Sequence, residues 1–347
     1  MSAVRHVPPS VLREWAAAAL GAAGVPADSA ALTARMLVQT SLWGIDSHGI
    51  ARLPHYLNRI AQGSISVRPR LDFRRTAAGT GQVEGDHGLG FVVCEFAMQH
   101  AIALAREAGV GAVGVANSSH CGAIGLYTRQ ATQAGMIGIG FTHSDSFVVP
   151  HGGTRAFFGT NPISIALPGS DPERPLCVDM ATSIVPWNRI MNARREGRAV
   201  PPGLGVDAAG RDTTDAAQVV AVKPMAEHKG YALAFAIDML CGPLNGMAYG
   251  PHLTKMYDQL DQHRRLGSFF LALDPQRFAG GAVLAGVLLA AVAEAKAQKE
   301  GVLAPGDPEY QTAELRGRTG IPVEAGLWME ISDWSARLRI PSPGSAS

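Results

Sequence analysis

Three short apolar runs between Val110 and Pro168, each delivering small or polar residues at its end, constrain this chain more than any other feature. The first, VGAVGVANSSH, has the β-branched content of a buried strand and ends on His120. CGAIGLYTRQATQAG follows, with small and apolar residues at helical spacing and a stop at Gly135. That order sets an imidazole at a strand end, beside the start of a helix. A second run, MIGIGFTHSDSFVVP, brings Ser144 and Asp145 to another strand end, and a third, NPISIALP, follows Gly159 and Thr160. Strand ends crowded with small residues make a floor for a cofactor, with one proton-transfer group beside it.

The flanking chain predicts helices at both ends. Ser10 caps a helix to Ala22, which Gly24–Val25–Pro26 breaks; Asp28 or Ser29 caps a second that ends at Gly44; a third stops at Gly63. Residues 64–90 are polar and turn-rich with short strands, and 91–108 form a long helix with one apolar stripe. Beyond the three runs come a strand, PLCVDMATS, and a Gly- and Pro-rich surface loop over 194–222. A largely apolar helix begins near Lys229, followed by the strand FFLALDPQRF, a helix over 279–300 and a short one near 309–318. Helices outside and strands between predict an α/β protein whose termini pack together around a central sheet.

Composition narrows the class. With 47% hydrophobic and 17% charged residues over 347 positions, the chain buries a sizeable core and is not disordered. A net charge of +1 with acids and bases interspersed leaves no basic stripe for DNA or RNA. Cys94, Cys121, Cys177 and Cys241 are scattered and never form CxxC, and no histidine spacing suits a metal, so a metal-free cytoplasmic protein is expected. Residues 15–27 resemble a short signal-peptide core, but Glu14 interrupts the basic flank and a new helix follows Asp28. The longest apolar run, 279–293, is shorter than the ~20 residues of a membrane span and reads as a half-buried helix.

Each motif has a bland reading. GVGAVG at 109–114 matches the dinucleotide fingerprint GxGxxG, but that motif must follow a strand and open a helix, and here a helix precedes and a strand follows. A helix stop explains it better. Asp46–Ser47–His48 holds the residue types of a hydrolase triad, yet triad members converge from separate elements and no GxSxG elbow occurs. DSHGIAR instead presents a hydroxyl, an imidazole and, a turn later, Arg52, whose planar fork suits a carboxylate. On composition alone an N-cap and a solvated arginine fit equally well. Taken singly, His120 is more readily a satisfied structural histidine than a catalyst; His143, His151 and His228 are undecided, and Lys229 is a phosphate contact or an exposed lysine.

Together the pieces resemble a known family. DSHGIARLPHYLNRI, NSSHCGAIGLY, FFGTNPISIALPG, DMATS, KGYALAFAIDMLCGPLNG and APGDPE stand in the order and spacing of the malate/L-lactate dehydrogenase family of the second, non-Rossmann type, over residues 8 to 335. SDSFVVPHGG, VDMATSIVPWNRIMNARREG, GRDTTD and MYDQLDQHRRLGSFFLALDP are most similar to its ureidoglycolate dehydrogenase branch.

The resemblance implies a mostly antiparallel sheet that binds NAD, or NADP, without a GxGxxG loop, in a homodimer or dimer of dimers. It implies a helical, substrate-side unit over 1–75 completed by 309–347, and a cofactor domain over 76–308. It assigns the proton transfer to His120, with His48 competing, and the substrate to Ser47, Arg52, Tyr56 and Asp145. Ser144, Asp179, Met180, Ala181, Lys229, Gly230, Gly306, Asp307 and Pro308 match cofactor contacts. The implied activity is hydride transfer between the nicotinamide and a small 2-hydroxy carboxylate, first ureidoglycolate, then malate, lactate or sulfolactate. The same family contains reductases of keto acids and cyclic imino acids. A non-catalytic binding protein on this fold predicts loss of His120 or Arg52, and both are present. Some positions depart from the pattern. Asn188–Arg189 stands where Gly-Lys is common, and Glu227–His228 replaces a small pair, so His228 is expected to alter cofactor affinity or choice. His143 and His151 are expected near the substrate loop.

Overall fold

A strand from the start of the chain pairs with one near its end, so the two termini are held together. The computed structural model describes residues 4–169 and 171–344, so the outermost residues of the two terminal segments, 1–3 and 345–347, lie outside the described residues. The chain opens with β1 (Arg5–Val7), α1 (Pro9–Ala22) and α2 (Ala27–Leu42), then two tight 3₁₀ turns at Asp46–His48 and Ile50–Arg52, and α3 (Leu53–Ala61). Next come β2 (Asp72–Ala77), β3 (Thr80–Glu84), α4 (Gly90–Ala108), β4 (Val110–Ser118), α5 (Gly125–Gln133), β5 (Ile137–Thr142), β6 (Ile163–Leu167) and β7 (Leu176–Met180). The remainder forms α6 (Trp187–Arg195), β8 (Gly205–Val206), β9 (Ala221–Val222), α7 (His228–Cys241), β10 (Leu266–Leu273), α8 (Gly281–Ala297), α9 (Asp307–Thr319), β11 (Ile321–Val323) and α10 (Ala325–Leu338).

The first two helices begin earlier than their polar residues suggested. Pro8 and Pro26 flank their starts and no side chain caps either, because proline's fixed φ already suits a helix entrance. Helix α6 was not expected. Its run WNRIMNARR looks polar, yet Ile190 and Ala193 bury against a small second core that includes Val148, Val185 and Val222. The loop that follows carries the short β8–β9 pair.

The central sheet has seven strands in the order β2-β3-β4-β10-β5-β6-β7. Every neighbouring pair is antiparallel except β3–β4, where Val83 lies opposite Val115. The late strand β10 inserts at the centre, with Phe270 opposite both Val113 and Gly140. Helix α4 lies so close to β4 that a Cβ at Gly111 would collide with the carbonyl oxygen of Ala101. Gly109 has φ +82° and ends α4, so the apparent fingerprint is a left-handed helix stop and no phosphate loop.

At the termini Arg5 lies opposite Val323 and Val7 opposite Ile321. The Trp15 indole donates to Ser335 Oγ at 2.9 Å. Trp15, Ala16, Ala19 and Leu20, from the stretch resembling a signal core, are buried in the main core with Leu37, Leu53, Phe91 and Phe270. Each such leucine contributes about 1.5–3 kcal/mol by leaving water. All four cysteines are buried and free. Helix α8 lies on the surface, with Leu284, Leu288 and Val292 half-buried while Val283, Val287 and Leu289 are exposed. Among the described residues no helix is long and apolar enough to cross a membrane.

Candidate active site

The turn at Asp46–His48 is fixed from below. Arg316 of α9 donates to both Asp46 oxygens (2.5 and 2.9 Å) and to the Ser41 carbonyl (2.6 Å). Asp46 is therefore an anchor for the turn. Ser47 Oγ lies 2.8 Å from Nδ1 of His48, and Arg52 Nε donates back to the Ser47 carbonyl at 2.5 Å. One helical turn beyond Arg52, the hydroxyl of the fully buried Tyr56 lies 2.6 Å from Nδ1 of His120. The Gly122 N–H approaches the same nitrogen at 3.3 Å. The His48 and His120 rings stack at 5.5 Å and 24°.

This packing keeps both imidazoles neutral near pH 7. Burial, then Arg52, lowers His48 from 6.5 to about 4. Burial first, then the charges of His48 and Arg52, holds His120 well below its ordinary value. A neutral imidazole with one nitrogen free is a proton acceptor. Because a tyrosine hydroxyl donates or accepts, Tyr56 can satisfy Nδ1 whichever ring nitrogen carries the proton.

A cavity of about 260 Å³ opens in front of the histidines. Ser47, His48, Arg52, His120, Ser144, Asp145, Asp179, Met180 and Ala181 all line it. The Thr160 N–H donates to Ser144 Oγ at 3.2 Å, and the Gly125 N–H to Asp179 at 2.9 Å. Burial pushes the Asp179 carboxyl up to about 6, opposed by that N–H and by Arg129.

The remaining expected positions lie outside the lining. Lys229 is exposed at the first turn of α7, and Gly230 is buried behind it against Met225. Gly306, Asp307 and Pro308 open α9 behind β7. There Asp307 accepts from the Ala304 N–H at 2.8 Å and pairs with Lys296 at 2.5 Å. His143 is a satisfied core histidine, between Asp238 (3.2 Å) and the Gly267 N–H (2.9 Å), and is not part of the cavity wall. His151 meets His228 with ring centroids 5.9 Å apart, also away from the lining.

Arg59, Arg264, Tyr257, Phe147 and Trp187 were missed, and the expected substrate neighbour Asp145 leads to them. Asp145 faces the cavity, but one oxygen accepts from buried Arg264 at 2.6 Å and the other from the Met256 N–H at 3.0 Å. Arg59 holds the same segment from the other side through the Lys255, Met256 and Gln262 carbonyls, at 2.9 to 3.0 Å. The strap so fixed delivers Tyr257, whose hydroxyl accepts from Arg52 Nη1 at 2.9 Å. Phe147 and Trp187 complete the far wall. Within the polar run MYDQLDQHRRLG nothing marks Tyr257 or Arg264, because their role depends on where the strap is tied. Among the described residues no cluster of three or more His, Cys, Asp or Glu side chains is placed to hold a metal ion.

Comparison with known proteins identifies the family. The family model described as malate/L-lactate dehydrogenase matches residues 7–332. The chain is 38% identical over 256 residues to a ureidoglycolate dehydrogenase (NAD(+)) of Escherichia coli O157:H7, covering 74% of this chain and 73% of that one. It is 34% identical over 323 residues to a malate/(S)-sulfolactate dehydrogenase of Methanothermus fervidus, covering 92% and 94%. The solved sulfolactate dehydrogenase of Methanocaldococcus jannaschii superposes with a TM-score of 0.90 at 31% identity, over 97% of this chain and 98% of that one.

Proposed function

The chain belongs to the malate/L-lactate dehydrogenase family, and from that premise we propose that it oxidises ureidoglycolate with NAD, with malate, lactate and sulfolactate as the next candidates. Dehydrogenation of a 2-hydroxy acid with a nicotinamide cofactor is what its relatives' names support at the coarser level. The observation that carries the site assignment is the stacked His120 and His48 beside Arg52 in one cavity, with buried Tyr56 bonded to His120 from behind the lining.

The residues present fit a nicotinamide ring. Ile124, Pro162 and Met180 give the cavity an apolar wall for a flat ring, and Ser144 and Asp179 give it polar groups. Asp179, Met180, Ala181 and Ser144 would hold that end of the cofactor, and Lys229, Gly230, Gly306, Asp307 and Pro308 the remainder. When bound, the nicotinamide supplies the hydride acceptor.

This chain's residues do the rest. Arg52, held at Nε by Ser47 and at Nη1 by Tyr257, meets the substrate carboxylate and fixes which face of the reacting carbon is presented. His120 accepts the hydroxyl proton as the carbon gives up its hydride, and the product is the 2-keto acid. Tyr56 holds the His120 ring at Nδ1, on the side opposite the nitrogen that takes the proton. His48, stacked on His120 and bonded to Ser47, shapes the same corner.

We also propose a cytoplasmic homodimer, with the helical unit over 1–75 and 309–347 set against a cofactor domain over 76–308. The exposed apolar residues Val283, Val287 and Leu289 of α8 support burial against a second copy. Absorbance at the reduced-nicotinamide band, with each 2-hydroxy acid and each oxidised cofactor, tests the activity. Turnover of ureidoglycolate with NAD is expected. Silence across the panel, together with no cofactor binding, overturns the reading.

A further inference from the structure

The aromatic part of the lining takes no part in proton transfer and is left to read the rest of the substrate. Phe147 and Trp187 stack at 5.2 Å and 19°, and Tyr257 lies 6.4 Å from Phe147 at 55°. All three line the cavity that holds His120 and Arg52. Asn188, next to Trp187 at the start of α6, lines it too, and its amide has no hydrogen-bond partner among the described residues. An aromatic wall with one free neutral donor–acceptor beside it suits a planar, uncharged group.

Charge points the same way. Arg52 is the one lysine or arginine among the described residues of the lining, and it matches one carboxylate. Arg264 gives Nη2 to Asp145 at 2.6 Å; its Nε and Nη1 have no partner among the described residues, but they are buried and Arg264 is not part of the lining. Asp179 and Glu309 line the cavity as further acids. A second anionic group on the substrate would find no free cation and would face carboxylates inside low-dielectric walls, where like charges repel most strongly.

We infer that the enzyme selects 2-hydroxy acids with a single carboxylate and an uncharged planar side group, such as an amide or a ureido group. The side group packs against this aromatic wall, and Asn188 is its hydrogen-bonding partner. This rests on the dehydrogenase reading of the same cavity. It favours ureidoglycolate among the candidates above and disfavours malate and sulfolactate.

Malate and its 4-amide are nearly equal in size and differ in one terminal group, carboxylate against carboxamide. The test is kcat/KM for racemic malate, its 4-amide and ureidoglycolate, with each oxidised cofactor. It is run on the wild type, Asn188→Lys and Asn188→Asp. Where an acid is not turned over, its inhibition constant against the best substrate replaces kcat/KM. The amide is expected to exceed malate by about tenfold or more in the wild type. Asn188→Lys should shift that ratio toward malate by about tenfold or more, and Asn188→Asp should widen it. Asn188 is half-buried in the first turn of α6, so both variants should melt with the wild type. Malate equal to or better than its amide, or a ratio that ignores the lysine, overturns the inference while leaving the dehydrogenase reading intact. No turnover and no inhibition by any of the acids overturns the inference, and the absence of cofactor binding as well overturns the dehydrogenase reading.

Discussion

The Tyr56 hydroxyl stands 2.6 Å from Nδ1 of His120, joining a helix from the start of the chain to the end of a central strand. Tyr56 is fully buried, so no water replaces its hydroxyl if it is removed. Tyr56→Phe should keep the fold and lower kcat and kcat/KM together by about 10–100-fold, the scale of one hydrogen bond to a group that becomes charged. Steady-state kinetics checks this. A rise in KM at unchanged kcat would mean that Tyr56 binds substrate and does not steer the histidine.

The pH profile carries a sign. Burial and then neighbouring positive charge, Arg52 included, lower His120, so its basic form persists into acid. Oxidation should hold its kcat/KM as pH falls through 6.5 and decline only well below that. Replacing Arg52 with glutamine removes one of the lowering charges, so the acid midpoint should move up. A midpoint that stays put or moves down in Arg52→Gln would contradict the role of His120 as base.

Asp145 and Arg264 form an ion pair with side-chain exposures of 5% and 1%. Breaking it leaves a buried charge alone, and Asp145→Asn should cost about 3–5 kcal/mol in denaturant unfolding. Pairing Asp145→Leu with Arg264→Met should recover part of that loss while loosening the strap that carries Tyr257. Activity should then fall more than stability does.

Much of this was legible because it is local. The run ending at His120, the helix stop at Gly109 and the one-turn offset from Arg52 to Tyr56 follow from period and turn chemistry. What was not legible depends on distant partners. The strap places Tyr257 only because Arg59 and Asp145 seize its backbone from opposite sides. His143 looked like a substrate neighbour by sequence distance from Ser144. The chain just past the end of β5 instead turns it inward, onto Asp238. The last residues of α6, 194 and 195, are read as the start of a polar loop, and the helix forms because Ile190 and Ala193 find a core.

Glu227 shows strain the sequence only hinted at. It has φ +56° and ψ −121°, a conformation suited to glycine, immediately before α7. Glu227→Gly should raise stability by about 1 kcal/mol, net of glycine's own entropy cost. Chemical denaturation checks it, and an unchanged or lower midpoint would show that the carboxylate compensates.

The account centres on hydride leaving the hydroxyl-bearing carbon while His120 takes the proton. The most direct measurement uses the best-turned-over 2-hydroxy acid carrying deuterium at that carbon, with mass spectrometry of the reduced cofactor, in the wild type and in His120→Ala. The account predicts deuterium on the reduced nicotinamide with the wild type, formed about 10²–10⁴-fold more slowly by the variant. Unlabelled reduced cofactor, or labelled cofactor formed at an undiminished rate by His120→Ala, would contradict it.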